Sequence, residues 1–366
     1  MSRLTNARVI LTTGGTGGHI FPALAVAERL RDAGVELLFI GSTFGPEGKL
    51  AQQAGVPFAG LPVHGVLGRG LRSVGALCGM AKAVFLARDM VRSFRPDVVV
   101  GFGAYASFAP LLAARLASIP VAVHEQNAMP GLTNRLLARL AQRVFLSLPD
   151  VTGAFSPAKC VDTGNPVRQA IVDLAQVAPT RTTTRRLLVM GGSQGAKAIN
   201  SVVLASLGRL LAAGVEIRHQ SGPGDLSRVL AGYTAHGYDA SNVTPFIDNV
   251  AEAYTWADLV LCRAGATSVA ELAVAGKASI LVPFPYATHD HQTYNARVLA
   301  EKGAALMVAE KDMASRDMGG MLLNLLDEPG TLQVMAQAAR GCACPDAAAN
   351  VAREVLHIGW KGKQDA

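Results

Sequence analysis

Leu259-Val-Leu-Cys-Arg-Ala-Gly-Ala-Thr-Ser-Val-Ala-Glu-Leu-Ala-Val-Ala-Gly-Lys-Ala-Ser-Ile-Leu-Val-Pro-Phe-Pro-Tyr-Ala-Thr-His-Asp-His-Gln-Thr-Tyr-Asn-Ala296 is the stretch on which the fold turns. Leu259 to Cys262 is an apolar run with the length of a buried parallel strand, and Arg263-Ala-Gly-Ala266 breaks it. Thr267 and Ser268 then open an amphipathic run to Ala275, which predicts a helix with hydroxyls at its cap. A strand passing through glycine into a helix N-terminus offers backbone N–H groups and a positive dipole end, which suits a phosphate. Glu271 lies one turn into that helix, where a carboxylate would repel a phosphate; accepting hydrogen bonds from a ribose diol fits it better. Ser279 to Val282 is a second strand, ended by Pro283-Phe-Pro285. Asp290, His291, Gln292 and Asn295 follow at the next helix start as a polar cluster able to meet sugar hydroxyls. Phosphate, ribose and sugar readers in this order describe a nucleotide-sugar pocket.

The same grammar recurs toward the N-terminus. From Arg186, the strand Leu187 to Met190 runs into Gly191-Gly-Ser-Gln-Gly-Ala196 and a helix to about Leu211. At the start of the chain, Val9 to Thr12 runs into Gly14-Gly-Thr-Gly-Gly-His19 and a helix over Ile20 to Leu30. No Gly-Lys-Ser/Thr closes that loop, so it is not a P-loop; Ile20 stands where a dinucleotide fingerprint has its third glycine, so an NAD reading is weak. Further strands are predicted at Glu36 to Gly41, Asp97 to Gly101, Val121 to His124 and Arg143 to Leu146, then at Val215 to His219 and Val243-Thr244. Polar residues collect at their carboxyl ends, in Gly101-Phe-Gly-Ala-Tyr-Ala-Ser107 and His124-Glu-Gln-Asn127, where open α/β sheets bind ligands. Phe246-Ile-Asp248 sits between strand and helix, placed to offer backbone atoms to a base. Pro149 to Pro179 lacks a long periodic run and reads as the interdomain linker, and residues 315–358 are mainly helical. The fold class is therefore α/β, with two Rossmann-like domains facing each other across a cleft.

Composition narrows the function classes. The chain has 366 residues, enough for two full cores, with 38 glycines and 18 prolines to turn many short connections. No signal peptide precedes the first strand, and no apolar run approaches the ~20 residues of a membrane span. Five scattered cysteines read as reduced thiols, and Cys342-Ala-Cys344 has no partner pair for a zinc site. Residues 1–166 hold 16 basic against 9 acidic side chains, whereas residues 167–366 hold 18 of each. The whole basic excess thus lies in the first half and points to an anionic partner there. Aromatic residues make up only 5%, with no basic-aromatic interleaving, which argues against single-stranded nucleic acid. Over residues 65–95 a glycine-rich loop precedes a helical run with Leu77, Ala81, Val84, Val91 and Phe94 near one face and Arg88, Arg92 and Arg95 on another. That pattern fits an anionic lipid surface or a core helix with a solvated basic face.

Six motifs in register resemble one family. Gly14-Gly-Thr-Gly-Gly-His-Ile-Phe-Pro22, His124-Glu-Gln-Asn127, Gly164-Asn-Pro-Val-Arg168, Gly191-Gly-Ser-Gln-Gly195, Arg263-Ala-Gly-Ala266 with Glu271, and His291-Gln292 with Asn295-Ala296 are similar to those of the bacterial peptidoglycan N-acetylglucosaminyltransferases, the MurG family. The resemblance covers about residues 8 to 356 and implies the GT-B fold, with an acceptor domain over 1–163, a UDP-GlcNAc domain over 164–345 and a final segment, 346–366, crossing back to the first domain. It implies transfer of GlcNAc from UDP-GlcNAc to the C4 hydroxyl of MurNAc in undecaprenyl-diphospho-MurNAc-pentapeptide (lipid I), giving the β-1,4 disaccharide of lipid II. Peripheral attachment to the cytoplasmic face of the inner membrane goes with it, as do partner proteins of cell-wall synthesis. By the same resemblance Thr16, Gly17 and Gly18 line the sugar-diphosphate region, Asn127 meets the transferred sugar, and Arg168 meets the nucleotide sugar. Ser193 reaches a phosphate and Ile247 the uracil; Ala266, Thr267, Ser268, Val269, Ala270 and Glu271 supply the diphosphate loop and ribose carboxylate, and Gln292 the GlcNAc hydroxyls. Leu67 departs from the pattern, because relatives often carry arginine there; Arg69 and Arg72 are the neighbouring basic residues.

Inversion at the sugar C1 needs one in-line displacement and a base for the acceptor hydroxyl. His19 is the expected base, at a helix N-terminus whose positive end opposes a further positive charge, with Glu125 as a carboxylate close enough to assist. No Asp-x-Asp motif occurs, so neither a metal nor another cofactor is expected. Two readings compete: a UDP-GlcNAc 2-epimerase with the same donor pocket, and a non-catalytic nucleotide-sugar sensor. Neither accounts for His19 together with the basic first half.

Overall fold

The computed structural model describes residues 7–64, 73–176 and 185–364. Leu67, Arg69 and Arg72 lie outside them. The described residues form two compact units, residues 1–168 with 346–366 and residues 169–345.

In the first unit the strands are β1 (Arg8–Thr12), β2 (Glu36–Ser42), β3 (Phe58–Leu61), β4 (Val98–Gly101), β5 (Val121–Glu125), β6 (Arg143–Leu146) and β7 (Cys160–Asp162). All described pairings are parallel, in the order β3-β2-β1-β4-β5-β6-β7. Alternation along β1 sends Val9 and Leu11 to one face and Ile10 to the other, and all three are buried. The strands therefore read as unbroken apolar runs, as strands covered on both faces must. One face packs against the helix Gly17–Asp32 through Ile20, Ala23, Val26, Ala27 and Leu30. The same face takes Val351, Ala352, Val355 and Ile358 from the helix Ala347–Gln364, so the last stretch of chain completes the first unit's core. The other face is covered by the helices Ser73–Phe94 and Phe108–Leu116.

Two expectations need correction here. Along Ser73–Phe94, among the described side chains, Val91 is buried and Val84 and Phe94 pack against the same core as expected, but Ala81 is exposed and Ala83 and Ala87 are buried in its place; the Leu77 side chain lies outside the described residues. The four-residue spacing of Ala83, Ala87 and Val91 forms the seam against Phe108–Leu116, with Val84 and Phe94 packed beside it. The division between units falls after Arg168 rather than after Thr163. Gly164 O accepts from the His124 ring at 3.2 Å, and the Arg168 guanidinium lies 4.5 Å from the Phe21 ring centroid, so both belong to the first unit.

The second unit has β8 (Arg185–Met190), β9 (Val215–Gln220), β10 (Val243–Thr244), β11 (Leu259–Arg263), β12 (Ala278–Val282) and β13 (Ala305–Met307), parallel in the order β10-β9-β8-β11-β12-β13. Helices Lys197–Ala212, Leu226–Ala235 and Met318–Asp327 pack on it through Ile199, Val203, Leu207, Val229 and Leu322. Counting each sheet from its own first strand, both follow the doubly wound order 3-2-1-4-5-6, with β7 added at one edge of the first. The direction of winding reverses between β1 and β4, and again between β8 and β11.

Replacing Val355 with alanine is expected to cost about 1–3 kcal/mol. The loss should appear in the urea transition reported by Trp360 in a Trp256→Phe background, and not in the transition reported by Trp256 alone.

Candidate functional site

Each unit carries a cluster of its own at its switch point. In the first, β1 ends at Thr12 and the loop Thr13–Thr16 leads into the helix beginning at Gly17, with Thr16 at the N-cap in extended conformation. Gly15 adopts φ +88°, and a Cβ on Gly14 would lie 2.8 Å from both Ala106 Cβ and Glu47 Oε1, so neither position takes a side chain without displacement. Thr16 and Gly18 are exposed and Gly17 half-buried, and the His19 and Ile20 amides turn back onto Thr16 O at 3.1 and 3.3 Å. The facing loop after β4 includes Ala104 at φ 63°, ψ 166°, a conformation rare outside glycine.

His19 is half-buried, and its Nδ1 lies 2.9 Å from Gln126 Oε1. Gln126 Nε2 donates to Phe102 O at 3.0 Å and reaches His124 Nδ1 at 3.1 Å. His124 closes the row through Nε2 to Gly164 O. Burial, more than the nearby His19 charge, pushes the His124 ring down to about 4, against the opposing pull of Gly164 O. The partner of His19 is thus Gln126, not Glu125. The Glu125 carboxylate is buried and spends both oxygens on its own loop: Oε1 accepts from Asn127 N and Nδ2, and Oε2 from Gly131 N and Asn134 Nδ2. It shapes the segment that carries Asn127. The Arg168 guanidinium carbon lies over the ring of Phe21, on the helix that also carries His19.

Glu47 gave no signal in the sequence beyond an acidic residue after Gly45-Pro46. Fully buried in the first turn of the helix Glu47–Gln53, it accepts from Gly15 N at 2.7 Å and pins the glycine loop from below.

In the second unit, Ser193 is exposed in the loop between β8 and the helix Lys197–Ala212, four residues before the helix begins. Gln220, buried at the end of β9, holds that loop: its Oε1 accepts from Gly192 N at 3.1 Å, and its Nε2 donates to Gly192 O at 2.8 Å and Pro245 O at 3.1 Å. One side chain therefore ties the loop of Ser193 to the segment carrying half-buried Ile247. The helix after β11 is Ala266–Ala275, and its N-cap is Gly265 without a side-chain cap bond. The expected hydroxyl cap is corrected: Thr267 and Ser268 lie inside the first turn, and the glycine in extended conformation starts the helix. Ala266, Thr267 and Val269 are buried, Ser268 and Ala270 half-buried, so a ligand here meets backbone amides first. Glu271 is 5% exposed, with Oε2 accepting from the Tyr254 hydroxyl at 3.2 Å. Arg263 braces the loop, donating to Val282 O and Pro283 O and pairing with Glu310.

The polar cluster after β12 separates by role. Asn295 is buried and donates to Ala264 O at 3.3 Å, so it supports the β11 loop rather than facing a sugar. Asp290 accepts from Thr293 Oγ1, and the His291 ring bonds Thr288 O. Gln292 accepts from Phe284 N at 3.0 Å through Oε1, which leaves its NH2 as the donor for a ligand. His289 and Asp290, both at φ 54°, make the tight turn ahead of it.

The pattern of the glycosyltransferase family 28 N-terminal domain matches residues 9–146, and that of the C-terminal domain matches residues 186–351. A UDP-N-acetylglucosamine--N-acetylmuramyl-(pentapeptide) pyrophosphoryl-undecaprenol N-acetylglucosamine transferase of Nitratidesulfovibrio vulgaris is 56% identical over 355 residues, covering 96% of this chain and 97% of its own. The crystal structure of Acinetobacter baumannii MurG aligns at a TM-score of 0.74 with 35% identity, over 96% of this chain and 99% of its own. A UDP-N-acetylglucosamine 2-epimerase aligns at 0.66 with 13% identity, over 97% and 98%, a likeness of fold alone.

His219, between Tyr233 Oη and Asn200 Oδ1, is also pushed down to about 4, again mainly by burial. Both imidazoles titrate near 6.5 when unfolded and near 4 when folded. Stability should therefore be flat above pH 6.5 and fall as the pH drops toward 4, by up to roughly 3 kcal/mol for each histidine. Urea titrations over that range check this: His219→Gln should flatten the fall.

Proposed function

The chain belongs to glycosyltransferase family 28 and, within it, to the MurG family, and from that membership we propose that it transfers GlcNAc from UDP-GlcNAc to the C4 hydroxyl of MurNAc in undecaprenyl-diphospho-MurNAc-pentapeptide, forming the β-1,4 linkage of lipid II. The observation that carries the reading is near full-length identity of 56% to a transferase of that name, joined to two switch-point loops built for anions. The second unit holds the donor. Backbone amides at Ala266–Ser268 and the Ser193 loop meet the diphosphate, Glu271 the ribose, Ile247 the uracil and Gln292 the sugar. The first unit presents the acceptor, with Thr16, Gly17 and Gly18 along its diphosphate and Asn127 and Arg168 toward the donor sugar.

Chemically, His19 Nε2 takes the proton of the acceptor O4–H while O4 forms its bond to the donor C1. The bond from C1 to the UDP oxygen breaks with its electron pair, and UDP leaves with the charge. Inversion follows from one displacement. General-base help of this kind is worth about 10²–10⁴ in rate. Helix N-termini stabilise the leaving diphosphate without reorganising.

The acceptor's lipid brings the enzyme to the cytoplasmic membrane surface. Among the described residues no helix is long and apolar enough to cross a membrane. Three helices of the first unit expose apolar side chains, Phe85 at 67%, Leu116 at 71%, and Leu132 and Leu136 at 49% and 45%. Exposed Arg88, Arg92, Arg115, Arg135 and Arg139 accompany them. Anionic headgroups contribute about 1 kcal/mol per basic residue near such a surface.

Radiolabelled UDP-GlcNAc with a lipid I analogue should give lipid II. His19→Ala should lower kcat by about 100-fold or more, and Glu271→Ala should raise the donor KM. Formation of UDP-ManNAc from UDP-GlcNAc alone would replace this reading with epimerisation. Binding to anionic vesicles should weaken as salt rises, and Phe85→Ser with Leu116→Ser should weaken it further; binding indifferent to both salt and these changes would remove the membrane assignment.

A further inference from the structure

We infer that Gln126 is a positioning residue that locks His19 in one tautomer, with the proton on Nδ1 and the lone pair on Nε2. The inference rests on the reading of His19 as the base. Gln126 is 1% exposed, so its amide must be satisfied inside the protein. Phe102 O, 3.0 Å from one end of that amide, is a peptide carbonyl and can only accept. That end is therefore the NH2. The other end, Oε1, faces His19 Nδ1 at 2.9 Å and can itself only accept. Nδ1 must carry the hydrogen, and Nε2 keeps its lone pair.

The row beyond Gln126 agrees in direction. The same NH2 lies 3.1 Å from His124 Nδ1, which must be an acceptor, and His124 Nε2–H then donates to Gly164 O at 3.2 Å. Burial keeps that ring neutral at physiological pH, so His124 does not reverse the row by becoming a donor at both nitrogens. Gly103, at φ +86°, closes one side of the His19 ring: a Cβ there would stand 3.3 Å from Cε1 and Nδ1. The bond to Gln126 Oε1 anchors the Nδ1 edge of the ring, and a glycine at 103 leaves room for it there. A histidine base is oriented in other enzymes by a carboxylate on the nitrogen that does not react. Here a neutral amide occupies that place. It selects the tautomer and adds no negative charge beside the imidazolium formed in the reaction.

The full chain labelled with ¹⁵N-histidine tests this by long-range ¹H–¹⁵N spectroscopy, the His19 signals being identified by their loss in His19→Ala. In the wild-type protein the neutral His19 ring should be protonated at Nδ1 and unprotonated at Nε2. Gln126→Met should mix the tautomers and lower kcat by about 10–100-fold with the donor KM within twofold of wild type. Gln126→Glu keeps an oxygen toward Nδ1 and should retain the Nδ1–H tautomer and more of the rate. A wild-type His19 protonated at Nε2 overturns the inference and the choice of Nε2 as the accepting nitrogen, while loss of turnover in His19→Ala would still mark His19 as the base, then acting through Nδ1. Equal loss of rate in both Gln126 variants with the tautomer unaltered also overturns it. Normal turnover by His19→Ala overturns the base reading and this inference together, whatever the spectrum shows.

Discussion

Between β1 and β4 in one sheet, and between β8 and β11 in the other, successive crossovers leave toward opposite faces. At each point a helix begins within a few residues of a strand end, at Gly17 after β1 and at Ala266 after β11. The positive end of its dipole faces the crevice that the reversal opens. The function proposed for the chain is arranged about that constraint: the anionic groups of donor and acceptor are assigned to these loops, and the rest of each unit holds them in place.

Both units solve the rigidity problem in the same manner. A buried glutamine at the carboxyl end of a strand uses both ends of its amide. Gln126, one residue past β5, joins the β4 exit to His19; Gln220, at the end of β9, joins the Gly191–Gly195 loop to Pro245. A buried amide with every group paired has one orientation, so it transmits position rather than charge. Carboxylates do similar duty lower down, Glu125 under Asn127 and Glu47 under Gly15. Polar groups here stand in place of the hydrophobic packing that a loop open to ligand cannot have.

The strands and glycine loops were legible in the sequence because doubly covered strands need unbroken apolar runs and tight strand-to-helix turns need glycine. Three short edge strands were not, although the two-residue edge strand β10 was. β3, β7 and β13 are three or four residues long and only partly buried, so their pattern is diluted by exposed positions. Donor and acceptor roles were the least legible. His19 and Gln126 are 107 residues apart, and nothing local distinguishes Gln126 from its neighbours in His124-Glu-Gln-Asn127. Glu125 drew the eye as a carboxylate, yet its four bonds are local to its own loop. Asn295 stood in the right motif but is buried, and its amide is spent on Ala264 O in the β11 loop, a partner 31 residues away that no local pattern reveals.

The helix Ala347–Gln364 gives the chain an order of birth that its sequence numbering conceals. Val351, Ala352, Val355 and Ile358 seal the sheet that begins at Arg8, yet they are synthesised only after the whole of residues 169–345. Until then the helix Gly17–Asp32 shares its side of the sheet with an open apolar strip, while residues 169–345 can already close their own core. The domain made first is thus the one finished last, and a truncated chain released early would carry a folded second unit joined to an unsealed, aggregation-prone first one.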